Sequence, residues 1–172
     1  MINWLPRYLF NFVAFVLIQV LLLNNLQLSA FMNPYIYVLF IITLPFSTPR
    51  WLLLILGFIT GLTLDIFMNT LGIHASATVF MAFLRPFVLS SFAPHDGYEP
   101  GTLPVPADYG FGWFFKYAAI MVTAHHLFLF FVEAFSMADF FSILWKSILS
   151  ALASLIFIFI AMLFARNKSG TL

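Results

Sequence analysis

Asp65, His74, Arg85, His125, His126, Glu133 and Lys146 are the side chains through which this sequence could move a proton, hold an ion or pair a charge. Gly57, Gly61 and Asp65 recur every four residues, which puts them on one face of a helix. The two glycines form a GxxxG pair, and small residues at that spacing let a second backbone approach closely. Such a seam would deliver Asp65 to a neighbouring helix. The plainer reading makes Asp65 a carboxylate at headgroup level that caps the next helix. His74, nine residues further on, fits a polar cap or a donor to Asp65 across a tight turn better than a metal ligand.

His125 and His126 are adjacent, so on a helix they point about 100° apart and do not readily serve one small site. Glu133 lies seven residues after His126 on the same face, and Lys146 stands across the next hairpin. Either these two pair, or Lys146 reaches the interface alone. Asp65, His74, Glu133 and Lys146 together form a candidate polar cluster at the outer end of a helical bundle. Arg85 reads as a snorkelling anchor at the cytoplasmic end, where Pro86 should loosen its helix.

No catalytic set emerges from these residues. The sequence has no G-x-S-x-G elbow, no H-E-x-x-H, no phosphate-binding glycine loop and no pair of intramembrane aspartates. It has no cysteine, which removes disulfides and thiolate chemistry. The expectation is a chain that is no enzyme and uses no cofactor or metal.

The elements that must position these groups follow from composition. Of 172 residues, 63% are hydrophobic and 8% charged, too few charges to coat a soluble globule. Mean hydropathy is +1.06, so the apolar excess must face lipid. A net charge of +1 argues against nucleic acid, which calls for a basic stripe. A span of about 30 Å of hydrocarbon takes roughly 20 helical residues. Six spans are expected in a single transmembrane domain over residues 1–172: Tyr8–Leu28, Pro34–Phe46, Trp51 to about Met68, about Leu71 to Phe92, Trp113–Phe135 and Phe140–Phe164. The first is read as a retained span rather than a cleaved signal. The second is short, and either crosses while thinning the bilayer or re-enters without crossing.

Six crossings put Arg7, Arg50, Arg85, Lys116, Arg166 and Lys168 on one side, which the positive-inside rule makes cytoplasmic along with both termini. Residues 93–112 carry four prolines and four glycines, a density expected to form a cytoplasmic loop without helix or strand. No internal repeat of the transporter kind is visible.

The stretch Gly57-Phe-Ile-Thr-Gly-Leu-Thr-Leu-Asp65, then Leu71-Gly-Ile-His74-Ala, then Phe83-Leu-Arg85, resembles the bacterial rod shape-determining MreD family. Length, span count and a short basic C-terminus agree with it. The resemblance implies a non-enzymatic subunit of the cell-elongation and peptidoglycan-synthesis assembly, in the cytoplasmic (inner) membrane. It would bind MreC, a single-span protein with a large periplasmic part, through its transmembrane helices. MreB filaments, RodA and a penicillin-binding transpeptidase would be indirect partners. It also implies an all-α integral membrane fold similar to the substrate-binding subunits of energy-coupling-factor transporters. The alternative is therefore such a subunit, binding a vitamin at the outer cluster. The proline-rich insert is longer than the family pattern.

Overall fold

Helices that are apolar on every side are stable only where lipid or protein covers all of them. The structure is a computed structural model that describes residues 5–25, 32–99, 101–135 and 138–167, and every described element is helical. In chain order these are α1 (Leu5–Leu21) with a 3-10 turn (Leu23–Asn25), α2 (Leu39–Ile42), α3 (Arg50–Met68), α4 (Ile73–Ser91), α5 (Pro106–Ala134) and α6 (Phe140–Asn167). Among the described residues, five helices are long and apolar enough to cross a membrane. Their outward faces carry Phe10, Trp51, Ile66, Phe67, Phe141 and Phe164, each more than half exposed, as suits a lipid-facing surface.

The exception is the second expected span. Residues 34–46 do not form a helix along their length: α2 is a single turn of four residues, with Pro34 before it and Pro45 and Pro49 after it. Thirteen helical residues would reach only about 20 Å, whereas extended residues advance about 3.3 Å each. The segment mixes the two: residues 33–36 are not helical, and 37–43 are turns around the single helical turn. It starts beside Gln19 near the end of α1, passes Phe12 with Phe40, and ends with Leu44 and Pro45 against Arg85. It thus runs antiparallel to α1 through the centre of the bundle, and Tyr37, Val38, Leu39, Ile41 and Ile42 are fully buried there.

Each helix boundary has a local cause. Asn69, in the left-handed region at φ 58°, ends α3, and the Thr70 N–H reaches back to the Asp65 carbonyl at 3.0 Å. Gly72, at φ 81°, makes the turn into α4, a conformation other residues adopt at a cost. Helix α4 continues through Pro86 to Ser91, so the proline does not end it. Residues 106–112, expected as loop, belong to α5: Pro106 stands in the first turn, where its missing N–H costs nothing. Gly110, at φ 80° and ψ 160°, breaks the helix after one turn, and the long part follows.

The remaining loop, which precedes α5, is clamped to the bundle. Tyr98 stacks on Phe46 with ring centroids 3.9 Å apart, and its hydroxyl donates to the Leu89 carbonyl at 2.7 Å. Trp113 and Tyr109 complete an aromatic group around Phe46. Burial raises the Tyr98 phenol to about 12, with the Tyr117 and Tyr109 phenols adding to the shift and Arg85 opposing it.

Candidate functional site

The α3–α4 hairpin is where the glycines act. A Cβ on Gly61 would lie 2.4 Å from the Ala75 Cα and from the His74 carbonyl oxygen, so the two backbones touch at this point. At Gly57 the same atom would lie 3.0 Å from the Ala82 Cβ, tight but adjustable. The seam is thereby occupied by α4 of the same chain. It carries Asp65 to the start of α4, where Oδ1 accepts from the His74 N–H at 3.0 Å and Oδ2 from the Ala75 N–H at 2.9 Å. These are the first amides of α4, which have no partner within their own helix. A carboxylate there also meets the positive end of the helix dipole. Asp65 takes the Thr70 hydroxyl at 2.5 Å and His74 Nδ1 at 3.1 Å as well. Both readings of Asp65, seam and cap, describe one arrangement.

Glu133 and Lys146 form their own pair at 2.9 Å, with side chains 46% and 25% exposed. The Lys146 ammonium also lies 4.3 Å from the centre of the Phe130 ring. Tyr35 stands between the two polar pairs: its ring is 5.3 Å from His74 and 6.4 Å from Phe130. The four residues of the expected cluster are therefore brought together as two pairs, joined through aromatic rings.

Arg85 departs from the sequence expectation. It does not snorkel outward; it is 1% exposed and turned into the bundle. Its guanidinium donates to the Leu44 and Pro45 carbonyls and, through Nε, to the Tyr117 hydroxyl at 3.1 Å. The Tyr117 hydroxyl in turn donates to the Ile42 carbonyl at 3.1 Å. The physical reason is that residues 42–45 leave the helical pattern inside the core. Their carbonyls need donors, and an arginine supplies several in a rigid fork.

The same need explains polar residues that the sequence reading passed over. Gln19, wholly buried, accepts from the Ile36 N–H at 2.8 Å and donates to the Pro34 carbonyl at 3.0 Å. Ser150 and Ser154 accept from the Asn33 and Tyr35 amides at 3.0 and 2.7 Å. Ser147, Ser150 and Ser154 are all buried and recur at three and four residues, so they share one face of α6. That spacing was the available signal.

His125 and His126 lie in this core, both fully buried. His126 Nδ1 donates to the Val122 carbonyl at 2.8 Å, and Nε2 lies 3.0 Å from the Ser154 hydroxyl. His125 Nε2 lies 2.8 Å from the Tyr37 hydroxyl, and Tyr37 lies 3.3 Å from the Thr78 hydroxyl, which donates to the His74 carbonyl at 2.7 Å. His74 Nε2 and His125 Nδ1 are buried and make no hydrogen bond with described residues. A bare ring nitrogen costs less to bury than an unpaired N–H, so the protons sit on His74 Nδ1 and His125 Nε2. Hydrogen bonds then run in one direction, from His125 through Tyr37 and Thr78 to His74. Among the described residues no three metal-ligating side chains converge. These side chains supply hydrogen bonds to buried backbone.

Among the described residues, the fold and site define an all-helical bundle with five helices suited to span a membrane and an irregular buried segment held by polar side chains. No known protein family matches the chain, nor does any curated protein or solved structure.

Proposed function

We propose that this chain is a non-enzymatic, multi-pass subunit of the bacterial cell-elongation machinery, of the MreD kind. On this reading it sits in the cytoplasmic membrane and binds MreC through its transmembrane helices. Through MreC it associates with MreB, RodA and a penicillin-binding transpeptidase. The supporting observation is that the residues carrying the resemblance act as one unit. Gly57 and Gly61 admit α4, Asp65 caps it through the His74 and Ala75 amides, and Arg85 at its other end holds the core segment. Residues so interdependent are a stronger basis for likeness than apolar composition.

Residues 34–46 serve as the sixth crossing in this proposal, with both termini and the proline-rich loop cytoplasmic. Irregular backbone is admissible at membrane depth when protein buries it, as happens here. The outer polar groups spend their hydrogen bonds within the chain, which favours a scaffold over a vitamin-binding subunit. The test is co-expression with a single-span MreC-type partner, followed by purification and by depletion in a rod-shaped host. Co-purification and rounding of depleted cells are expected. Retained rod shape without co-purification would overturn the proposal, as would a vitamin recovered from the purified chain. Reporter fusions within the proline-rich loop and at the C-terminus should report a cytoplasmic location.

A further inference from the structure

A cavity of about 1150 Å³ lies on the flank of the bundle between α1, the residues leading into α3, and the loop before α5. It reaches in from the end of α3 opposite Asp65; of its walls, the Leu44 and Pro45 carbonyls are engaged by Arg85, and the Tyr98 hydroxyl by the Leu89 carbonyl. Its walls change character along their length. At the loop end stand Ser47, Thr48, Glu99 and Thr102, while Phe12, Phe40, Leu56 and Ile59 line the depth. The hydroxyl of Thr60, at the deep end, is turned back onto the Leu56 carbonyl at 2.6 Å and offers nothing polar there.

Two dimensions restrict the occupant. Pro49 and Thr60 both line the cavity and are eleven residues apart along α3, about 16 Å at 1.5 Å per residue. That is half of the roughly 30 Å hydrocarbon core, one leaflet. The volume also lies at or above the upper end of small-molecule pockets, roughly 300–1,000 Å³. The cleft opens sideways, because Leu9 and Ile59 in its walls are 62% and 46% exposed and continue the lipid-facing surface of α1 and α3. At its polar end Glu99 supplies an anion and Ser47 a hydroxyl. A phosphate and an ammonium on one headgroup complement that pair. The stacking of Tyr98 on Phe46 fixes Glu99 and its neighbours over the opening.

We propose that this cleft is a binding site for a zwitterionic glycerophospholipid of the loop-side leaflet, with an acyl chain laid between α1 and α3 and the headgroup at the Ser47–Glu99 rim. The inference requires the bundle to lie in a bilayer but is independent of the elongation role, so either can fail alone.

The full chain is reconstituted in vesicles of phosphatidylethanolamine and phosphatidylglycerol. These hold a trace of phosphatidylethanolamine, or in parallel of free fatty acid, with a diazirine on the acyl chain. After irradiation, labelled peptides should map to Phe12 and Leu56 in the phospholipid arm and more weakly in the fatty-acid arm. Leu56→Trp fills the trough and should cut that labelling by about tenfold. Ile59→Trp, at a partly exposed position, serves if the first variant does not fold. Ile66→Trp, on the lipid-facing surface away from the cleft, should leave labelling unchanged. Even labelling of all outward faces that neither cleft variant reduces would overturn the proposal. Equal labelling by fatty acid would overturn the headgroup assignment, and labels on a co-purified protein helix would show that a partner fills the cleft instead.

Discussion

Replacing Gly61 with alanine adds one methyl group where there is no room for it. The new carbon would sit 2.4 Å from two backbone atoms of α4, whereas ordinary contacts lie at 3.4–4 Å, so the start of α4 must retreat by about 1 Å. Backbone cannot rotate aside as a side chain can. The retreat stretches the bonds from Asp65 to the His74 and Ala75 amides, now 3.0 and 2.9 Å, past hydrogen-bonding range. Overpacking costs about 1–3 kcal/mol, and weakening hydrogen bonds to a buried charge adds about 1.5–3 kcal/mol. A loss of about 3 kcal/mol or more is therefore expected. For a chain of this size that corresponds to a melting point lower by about 6–12 °C.

Gly57→Ala is the internal control. Its new carbon meets the Ala82 Cβ at 3.0 Å and the Thr78 carbonyl at 3.1 Å, which a shift of a few tenths of an ångström relieves. Alanine also gains about 1 kcal/mol of helix propensity over glycine, so the net change should lie near zero. Thermal unfolding of both variants in one detergent, followed by tryptophan fluorescence, reads the difference. Equal melting points, or Gly57→Ala the less stable, would refute the close-contact account.

Arg85→Met should destabilise the chain by about 3–5 kcal/mol, because it leaves carbonyls at Leu44 and Pro45 without their donor, and Tyr117→Phe should cost about 1 kcal/mol; denaturant titration in mixed micelles separates them. Gln19→Leu should cost about 1–3 kcal/mol and speed amide exchange at Ile36, read by hydrogen–deuterium exchange; unchanged protection at Ile36 would count against the bond. In a double-mutant cycle, Glu133→Gln with Lys146→Met should be milder than the sum of the singles, with a coupling below about 1 kcal/mol because the pair is partly solvated.

Most of the long helices were legible because each carries close to the roughly 20 apolar residues that a crossing needs. The path of residues 34–46 was not legible in that way. Hydropathy counts apolar residues and cannot distinguish a short crossing helix from an irregular segment sheathed by other helices. The clue lay elsewhere in the chain, in Gln19, Ser150, Ser154, Tyr117 and Arg85, which supply partners for that backbone. The basic residue at the end of α4 was read from its position alone, which suits snorkelling. A backbone break packed beside it changes the balance, because a buried arginine facing free carbonyls is satisfied where an isolated one is not. The Gly57–Gly61–Asp65 spacing was readable because a four-residue period is purely local.

This use of polar residues bears on where a partner helix can bind. A GxxxG seam usually suggests contact between separate helices, but here α4 of the same chain fills it and Asp65 is committed to amides of that helix. Residues 37–42 of the core segment are likewise buried. A partner must therefore use outward surfaces, among them those of α1, α3 and α6, where Phe10, Phe58 and Phe141 face away from the bundle. Without a hydrophobic drive between helices in lipid, such a contact depends on close packing of side chains. Changes at the seam would then reach a partner only through the stability of the bundle. A substitution at Phe10, Phe58 or Phe141 could weaken binding while leaving melting unchanged, and that divergence separates a partner contact from a structural one.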